Sequence, residues 1–272
     1  MAAQIDVPRQ ALLERLTNEL LDGGTEPGAK LPSERQLAER FHISRPVVRE
    51  VLRELQERGL VEISPGRGTF VRAVGALDAG RLVEVLYRRG QTTPRQLVEA
   101  RTMLEGQAAA LAAERATDDD VAAMGRALEG FDRATGVIGR AKADIAFHAL
   151  LARASHNPVL DIMFGSISGL VFEQMLRSLD DPHVAAEGVP YHRQVLAAIE
   201  NRDAAAAGAA MTEHLTLALR TYGSDLDESL ERIAMRKVDD LLGKGASLQS
   251  VISSALSQFT EDAEERLIGG GA

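Results

Sequence analysis

Residues 27–72, PGAKLPSERQLAERFHISRPVVREVLRELQERGLVEISPGRGTFVR, constrain the fold more than any other part of the chain. Pro27 and Gly28 break an amphipathic segment that runs from Pro8 to Leu21, with Leu12, Leu13, Leu16 and Leu20 at helical spacing. Ser33 suits an N-cap, and Gln36 three residues on completes a capping-box pattern. Leu37, Ala38 and Phe41 supply the buried side of a short helix, and His42 and Ile43 form a turn. Ser44 caps the next helix, and Pro46 sits in its first turn, where the missing N–H is not needed. Val48, Leu52 and Leu55 follow at helical spacing, and Gly59 ends the helix. Val61 to Ser64 and Thr69 to Arg72 read as two strands turned at Pro65-Gly66-Arg67-Gly68. Two short helices, a tight turn and a glycine-tipped hairpin predict a winged helix-turn-helix, which lays its second helix in the DNA major groove.

Arg45 and Arg49 lie four apart near the N-terminal end of that second helix, the end that meets base edges in such folds. The alternative is a three-helix domain whose arginines only solvate a surface. The pattern P-G-x-K-L-P-S-E-R-x-L-A-x-x-F, then S-R-x-x-V-R-E, then G-L-V and G-x-G-T-F-V, resembles the GntR family of bacterial transcription regulators. Carried over by position, the resemblance implies base or phosphate contacts for Arg35, Arg45 and Arg49, with Ser44 and Arg67 in the same DNA-facing set. It makes Gly66 the wing tip that enters the minor groove. The chain departs from the pattern at His42, where the family often has Gly, and at Val51, where it often has Ala.

The net charge of −9 runs against the usual basic character of DNA-binding proteins. Its distribution removes the conflict. Residues 1–75 hold 11 Lys+Arg and 11 Asp+Glu, so the acidic excess falls entirely on the remainder. A neutral DNA-binding domain still presents arginines on one face, and an acidic remainder stays off the phosphates. The 272 residues suffice for two domains, and 45% hydrophobic with 26% charged residues is ordinary soluble composition. The chain has no cysteine, which excludes disulfides and thiolate metal sites. No signal-like or membrane-spanning segment is read from the sequence, so the expected location is the cytoplasm.

The reading divides the chain into a winged helix-turn-helix domain at 1–75, a linker at 76–93, a helical domain at 94–222 and a helical extension at 223–272. A short helix is expected around Leu82 to Arg89 within the joint. From Arg95 onward helix follows helix, with segments expected near 94–115, 117–134, 138–155, 157–180, 190–201 and 203–222. Asp118, Pro158 and Asp203 mark helix starts. The fold class is therefore mostly α: an N-terminal winged helix-turn-helix and a C-terminal all-α bundle. In the extension, Leu230, Ile233, Val238, Leu241 and Leu242 suggest one amphipathic helix, and Val251, Ile252, Leu256 and Phe259 another. They read either as an added dimerisation surface or as a hairpin covering the bundle.

Asp144 and His148 are four apart in ADIAFH and project from one helical face. His192 and His214 lie on two successive expected helices, which antiparallel packing brings to one depth. Three imidazoles and a carboxylate suit Zn²⁺, Ni²⁺, Fe²⁺ or Mn²⁺. Spacing alone leaves open that these are core or surface histidines. The segments D-x-x-F-H and H-x-x-x-L-x-A-I-x-x-x-D-x-x-A-A-x-x-x-M-x-x-H-L resemble the effector domain (FCD) of the FadR-type branch of GntR regulators, many of which bind a divalent metal. That resemblance makes Asp144, His148, His192 and His214 the metal ligands, with zinc as the first candidate. Arg101 matches the branch's buried arginine and is expected to clamp a small carboxylate, although a surface pair with Glu105 at i+4 explains it equally well. Asn157 and Arg153 are further pocket candidates, whereas His156 and His183 are not expected to bind metal.

The implied function is a repressor of a metabolic operon. A homodimer binds a palindromic DNA operator and responds to a small carboxylate at the metal site. A regulator that senses the metal alone is the alternative. A metal-dependent hydrolase is more remote, because no H-E-x-x-H is present and no carboxylate is placed by motif as a general base.

Overall fold

The computed structural model describes residues 9–22, 25–72, 83, 86, 87 and 89–233. The linker reading, the short helix expected around Leu82 to Arg89 and the extension beyond Ile233 lie wholly or mostly outside the described residues. The chain forms two compact units, Met1–Asp78 and Ala79–Ala272.

In the first unit, α1 (Arg9–Leu21), α2 (Glu34–Phe41) and α3 (Arg45–Glu57) precede β1 (Val61–Ser64) and β2 (Gly68–Val71). The strands pair antiparallel, with Val61 opposite Val71 and Ser64 opposite Gly68. Leu12, Leu13, Leu37, Val48, Val51, Leu52 and Leu55 are buried together between the helices and strand β1. Each such burial stabilises by about 1.5–3 kcal/mol relative to exposure. Ser33 and Gln36 close a reciprocal capping box at the start of α2. The turn between α2 and α3 is left-handed at His42, with φ 55° and ψ 43°. The N–H groups of His42 and Ile43 both turn back to the carbonyl of Ala38. That conformation costs a residue with a Cβ roughly 1–2 kcal/mol, a cost that the Gly of the family pattern would avoid. Val51, the other departure, is fully enclosed and adds two methyl groups to the α3 packing.

The second unit is helical among its described residues: α4 (Pro94–Arg115), α5 (Asp118–Arg133), α6 (Gly136–Ala154), α7 (Pro158–Asp180), α8 (Pro182–Glu200) and α9 (Ala204–Thr221), followed by a 3-10 turn (Gly223–Asp227). Side-chain caps set most of the starts. Thr93 and Thr117 form capping boxes with Gln96 and Asp120, and Asn157 and Asp203 cap α7 and α9. The start of α8 differs from expectation. The helix begins at Pro182 and carries Pro190 in its interior, whereas the sequence suggested a start at Pro190. Arg202, in a left-handed turn between α8 and α9, donates its guanidinium to the Ala116 carbonyl at 2.7 Å and so closes the end of α4.

Small residues let α4 and α9 approach closely. A Cβ at Gly208 would lie 3.2 Å from the backbone oxygen of Gly106, and one at Gly106 would lie 3.1 Å from Thr212 Oγ1. Ala109, Ala112, Phe147, Leu151, Val195, Ile199 and Met211 form the adjoining core. Helix α7 is long and apolar enough to cross a membrane by length and composition, but 56% of its most apolar window is buried within the protein. Residues 223–233 pack back on the bundle. Leu226, Leu230 and Ile233 are buried, the Leu230 N–H donates to the Thr92 carbonyl, and Arg95 pairs with Asp227.

Candidate metal and effector centre

Five helices of the bundle deliver polar side chains to one buried point. Helix α6 presents Asp144 and His148 one turn apart, α8 presents His192, and α9 presents His214. The His192 Nε2 lies 3.0 Å from Asp144 Oδ1 and 3.2 Å from His148 Nε2, and His148 Nε2 lies 3.5 Å from Asp144 Oδ1. Among the described residues, His148, His192 and His214 each offer a ring nitrogen within 4.8 Å of the others. The spacing has a simple test. Donors about 2.1 Å from one cation sit roughly 3.0–3.4 Å from each other in octahedral or tetrahedral arrangements. The three measured separations fall in or next to that range. Asp144 Oδ1 and His214 Nδ1 are enclosed yet make no hydrogen bond, although Asp144 touches two imidazoles. Enclosed donors that converge at this spacing, two of them without a hydrogen bond, fit a divalent cation such as zinc.

The imidazole of His148 is oriented from behind. Its Nδ1 meets Glu105 Oε2 in a short contact, which makes Nδ1 the protonated nitrogen and turns the Nε2 lone pair toward the cluster. Glu105 is completely buried on α4. Burial pushes its carboxyl up, but Arg101 and His148 outweigh burial and bring it down to about 2. Burial likewise opposes ionisation of Asp144, and the His192 and His148 rings overcome it, holding Asp144 well below the usual carboxylate range. Burial works against a charged His148, yet Glu105 and Asp144 raise its pKa. For His214 burial and the neighbouring imidazoles act together, and its pKa falls well below the ordinary value. A neutral His214 is the form that ligates a metal.

Arg101 is buried beside this cluster. Its Nε donates to Glu105 Oε1 at 2.5 Å, its Nη1 donates to Gln174 Oε1 at 2.9 Å, and its Nη2 reaches Glu105 Oε2 at 3.4 Å. The i+4 partnership with Glu105 is therefore present, but inside the bundle instead of on its surface. A cavity of about 60 Å³ opens beside the cluster, with Arg101, Asp144, Gln174, His192 and His214 in its polar wall and Phe131, Met175, Leu179 and Leu217 in its apolar wall. That is several times the ~15 Å³ needed by one water. Glu105 and Gln174 are the site residues that the sequence reading missed. Arg153 and Asn157 do not line the cavity, and Asn157 is engaged as the α7 cap. His156 pairs with Asp120, and His183 is exposed in the first turn of α8.

In the first unit Arg35, Ser44, Arg45, Arg49, Gly66 and Arg67 are all exposed. Ser44 starts α3 without a side-chain cap bond, so its hydroxyl is not consumed by the helix. Glu34 holds Arg49 through two parallel bonds of 2.8 and 2.7 Å, and Arg35 pairs with Glu39. Gly66 has φ 74°, and a Cβ there would meet nothing within 4 Å. Arg67 and Lys30 each lie 5.8 Å from the Phe70 ring centre.

Comparison with known proteins assigns both units. Residues 8–71 match the model of the bacterial regulatory proteins of the gntR family, and residues 96–217 match the FCD domain. The HTH-type transcriptional regulator LutR of Bacillus subtilis (strain 168) is 35% identical over 202 residues, which are 72% of this chain and 92% of LutR. The chain belongs to the GntR family. The Uxu operon transcriptional regulator of Escherichia coli (strain K12) is also 35% identical, over 70% of this chain and 76% of its own length. A solved GntR structure from Streptococcus agalactiae superposes with a TM-score of 0.62 at 27% identity, covering 78% of this chain and 100% of that one. As a GntR protein with an FCD domain the chain is a DNA-binding transcription regulator, and the hydrolase alternative falls with that assignment.

Proposed function

We propose that this GntR regulator is a repressor of a metabolic operon, controlled by a small carboxylate at a divalent-metal site. Asp144, His148, His192 and His214 hold the metal, with zinc favoured by the mixture of imidazole and carboxylate donors. Four protein donors leave positions free on a metal that takes five or six, and the metal there supplies a Lewis-acid anchor for an anionic ligand. Arg101 orients the ligand's carboxylate from the cavity wall. The observation that carries this reading is the donor cluster at coordination spacing opening onto a cavity that also holds a buried arginine.

A homodimer on a palindromic operator is part of the same reading, since two-fold related recognition helices would meet two symmetric half-sites. Helices α4 and α7 pack on each other, and outside that contact Met103, Val159, Ile162 and Met163 are exposed. Val159, Ile162 and Met163 follow one another at i, i+3 and i+4 and form an apolar stripe suited to a second copy. Arg35, Ser44, Arg45, Arg49, Gly66 and Arg67 are the proposed DNA-facing set, and the place of action is the cytoplasm, where the operator lies.

The test is thermal unfolding of chelator-stripped protein, with zinc, nickel or manganese added back and then a panel of small carboxylic acids. A ligand that binds only the folded state raises the melting temperature with its concentration. Stabilisation by metal, and further stabilisation by an acid only when metal is present, is the expected result. Metal alone switching operator binding would favour a metal sensor instead. No response to any metal would overturn the site.

A further inference from the structure

The wall of the cavity carries a second buried side chain with an unmet need. Gln174 is 2% exposed, and its amide oxygen accepts from Arg101 Nη1 at 2.9 Å. An arginine guanidinium only donates, so this contact fixes which end of the amide is oxygen. The other end, Nε2, is therefore a donor, and it is enclosed without an acceptor. A buried amide N–H in this state loses its hydration without replacement, so an acceptor supplied by a ligand is favoured. The backbone behind it is held. Tyr222 Oη donates to the Gln174 backbone carbonyl at 2.9 Å and accepts from Ser178 Oγ. With the backbone held there, the Arg101 bond sets the orientation of the amide.

We infer that Gln174 determines specificity in this pocket, donating from Nε2 to a second oxygen of the ligand beyond the carboxylate oriented by Arg101. The inference rests on the carboxylate-effector reading above and narrows the ligand class. Arg101 and Gln174 both line the cavity and carry N–H donors, and the Asp144 carboxylate lies against the His192 and His148 rings. At these two positions the wall favours acceptors, and the Ser178 hydroxyl, which also lines the cavity, is engaged with Tyr222. The ligand is a small acid carrying a second acceptor oxygen, and an amino acid of the same size is excluded because its ammonium meets a guanidinium, an amide N–H and a metal cation.

Three acids that differ only at carbon 2 provide the probes: pyruvate, propionate and alanine. Their binding to zinc-loaded full-length protein is measured by calorimetry, for the wild type and for Gln174→Met, which keeps the volume and removes the donor. The wild type is expected to bind pyruvate at least about tenfold more tightly than propionate or alanine. Gln174→Met is expected to lose most of the preference over propionate while retaining zinc affinity, which is measured in the same preparation. A pyruvate preference that persists in Gln174→Met overturns the proposal, since the second oxygen would then be read by the metal alone. If Gln174→Met fails to fold, Gln174→Glu supplies a near-isosteric variant, and an undiminished pyruvate preference in it has the same consequence. If the wild type binds zinc but none of the three acids, the carboxylate reading itself fails, and that outcome is separate from loss of preference in the variant.

Discussion

Glu105 shows how much a single side chain contributes when it touches no ligand. It bridges Arg101 and His148 in a fully buried position, so it connects the guanidinium to a proposed metal ligand. Replacing it by Gln should lower zinc affinity by about 10–100-fold, as is usual for groups that orient a ligating histidine. A zinc titration with the melting curve alongside checks this, and unchanged affinity would remove Glu105 from the site. The sequence made Asp144, His148, His192 and His214 visible through helical spacing and the resemblance to metal-binding relatives. It hid Glu105, because an Arg–Glu pair at i+4 has the same pattern on a surface as in a core. Helix α4 is lined by alanines on several sides, so no apolar stripe announces which side is inside. Gln174 was hidden for a related reason, being one polar residue in a long core helix. On the DNA side, Glu34 grips Nε and Nη2 of Arg49, which presents the guanidinium in a fixed plane. Arg49→Ala should weaken operator binding by about 1–3 kcal/mol if the side chain reads a base. Equal weakening on random DNA, measured by fluorescence anisotropy, would make it a phosphate contact.

Among the helices and strands, local chemistry announced most boundaries. The starts read at Ser33, Asp118, Pro158 and Asp203 coincide with those of α2, α5, α7 and α9, each closed by a side-chain cap, and Thr93 adds a capping box at α4 that the reading did not use. The exception, α8, shows the limit of reading proline as a start signal: Pro182 opens the helix, and Pro190 lies inside it. The close crossing of α4 and α9 was not legible either, because Gly106 and Gly208 are a hundred residues apart and each alone reads as a weak point in a helix. Their mutual approach gives a prediction. Gly208→Val forces its side chain against the Gly106 backbone and should destabilise the helical unit by about 1–3 kcal/mol. Because α9 carries His214 and α4 carries Arg101 and Glu105, metal affinity should fall with it. A variant with unchanged melting temperature would show that the two helices can slide apart at no cost.

For the molecule as a whole, the charge distribution sets residues 1–75, neutral on balance, apart from an acidic remainder. The face on which the proposed dimer would join was not legible, since nothing in periodicity says which apolar positions stay outside. The exposed stripe on α7 supplies a candidate. Ile162→Glu should shift the protein from dimer to monomer by analytical ultracentrifugation and weaken operator binding, while zinc affinity stays within about twofold. A dimer that survives the substitution would move the interface elsewhere.

The buried Arg101–Glu105 pair also fixes the sign of the pocket. With its imidazoles in the neutral form that metal ligation requires, the Glu105 and Asp144 carboxylates contribute two negative charges and Arg101 one positive, so the protein side of the site carries one net negative charge that repels a carboxylate. A divalent ion inverts that to a single positive charge, the counter-charge of one monoanion. On the function proposed above, occupancy by the metal would be the precondition for hearing the metabolite at all, and a cell starved of that metal would be deaf to the acid however much of it accumulated.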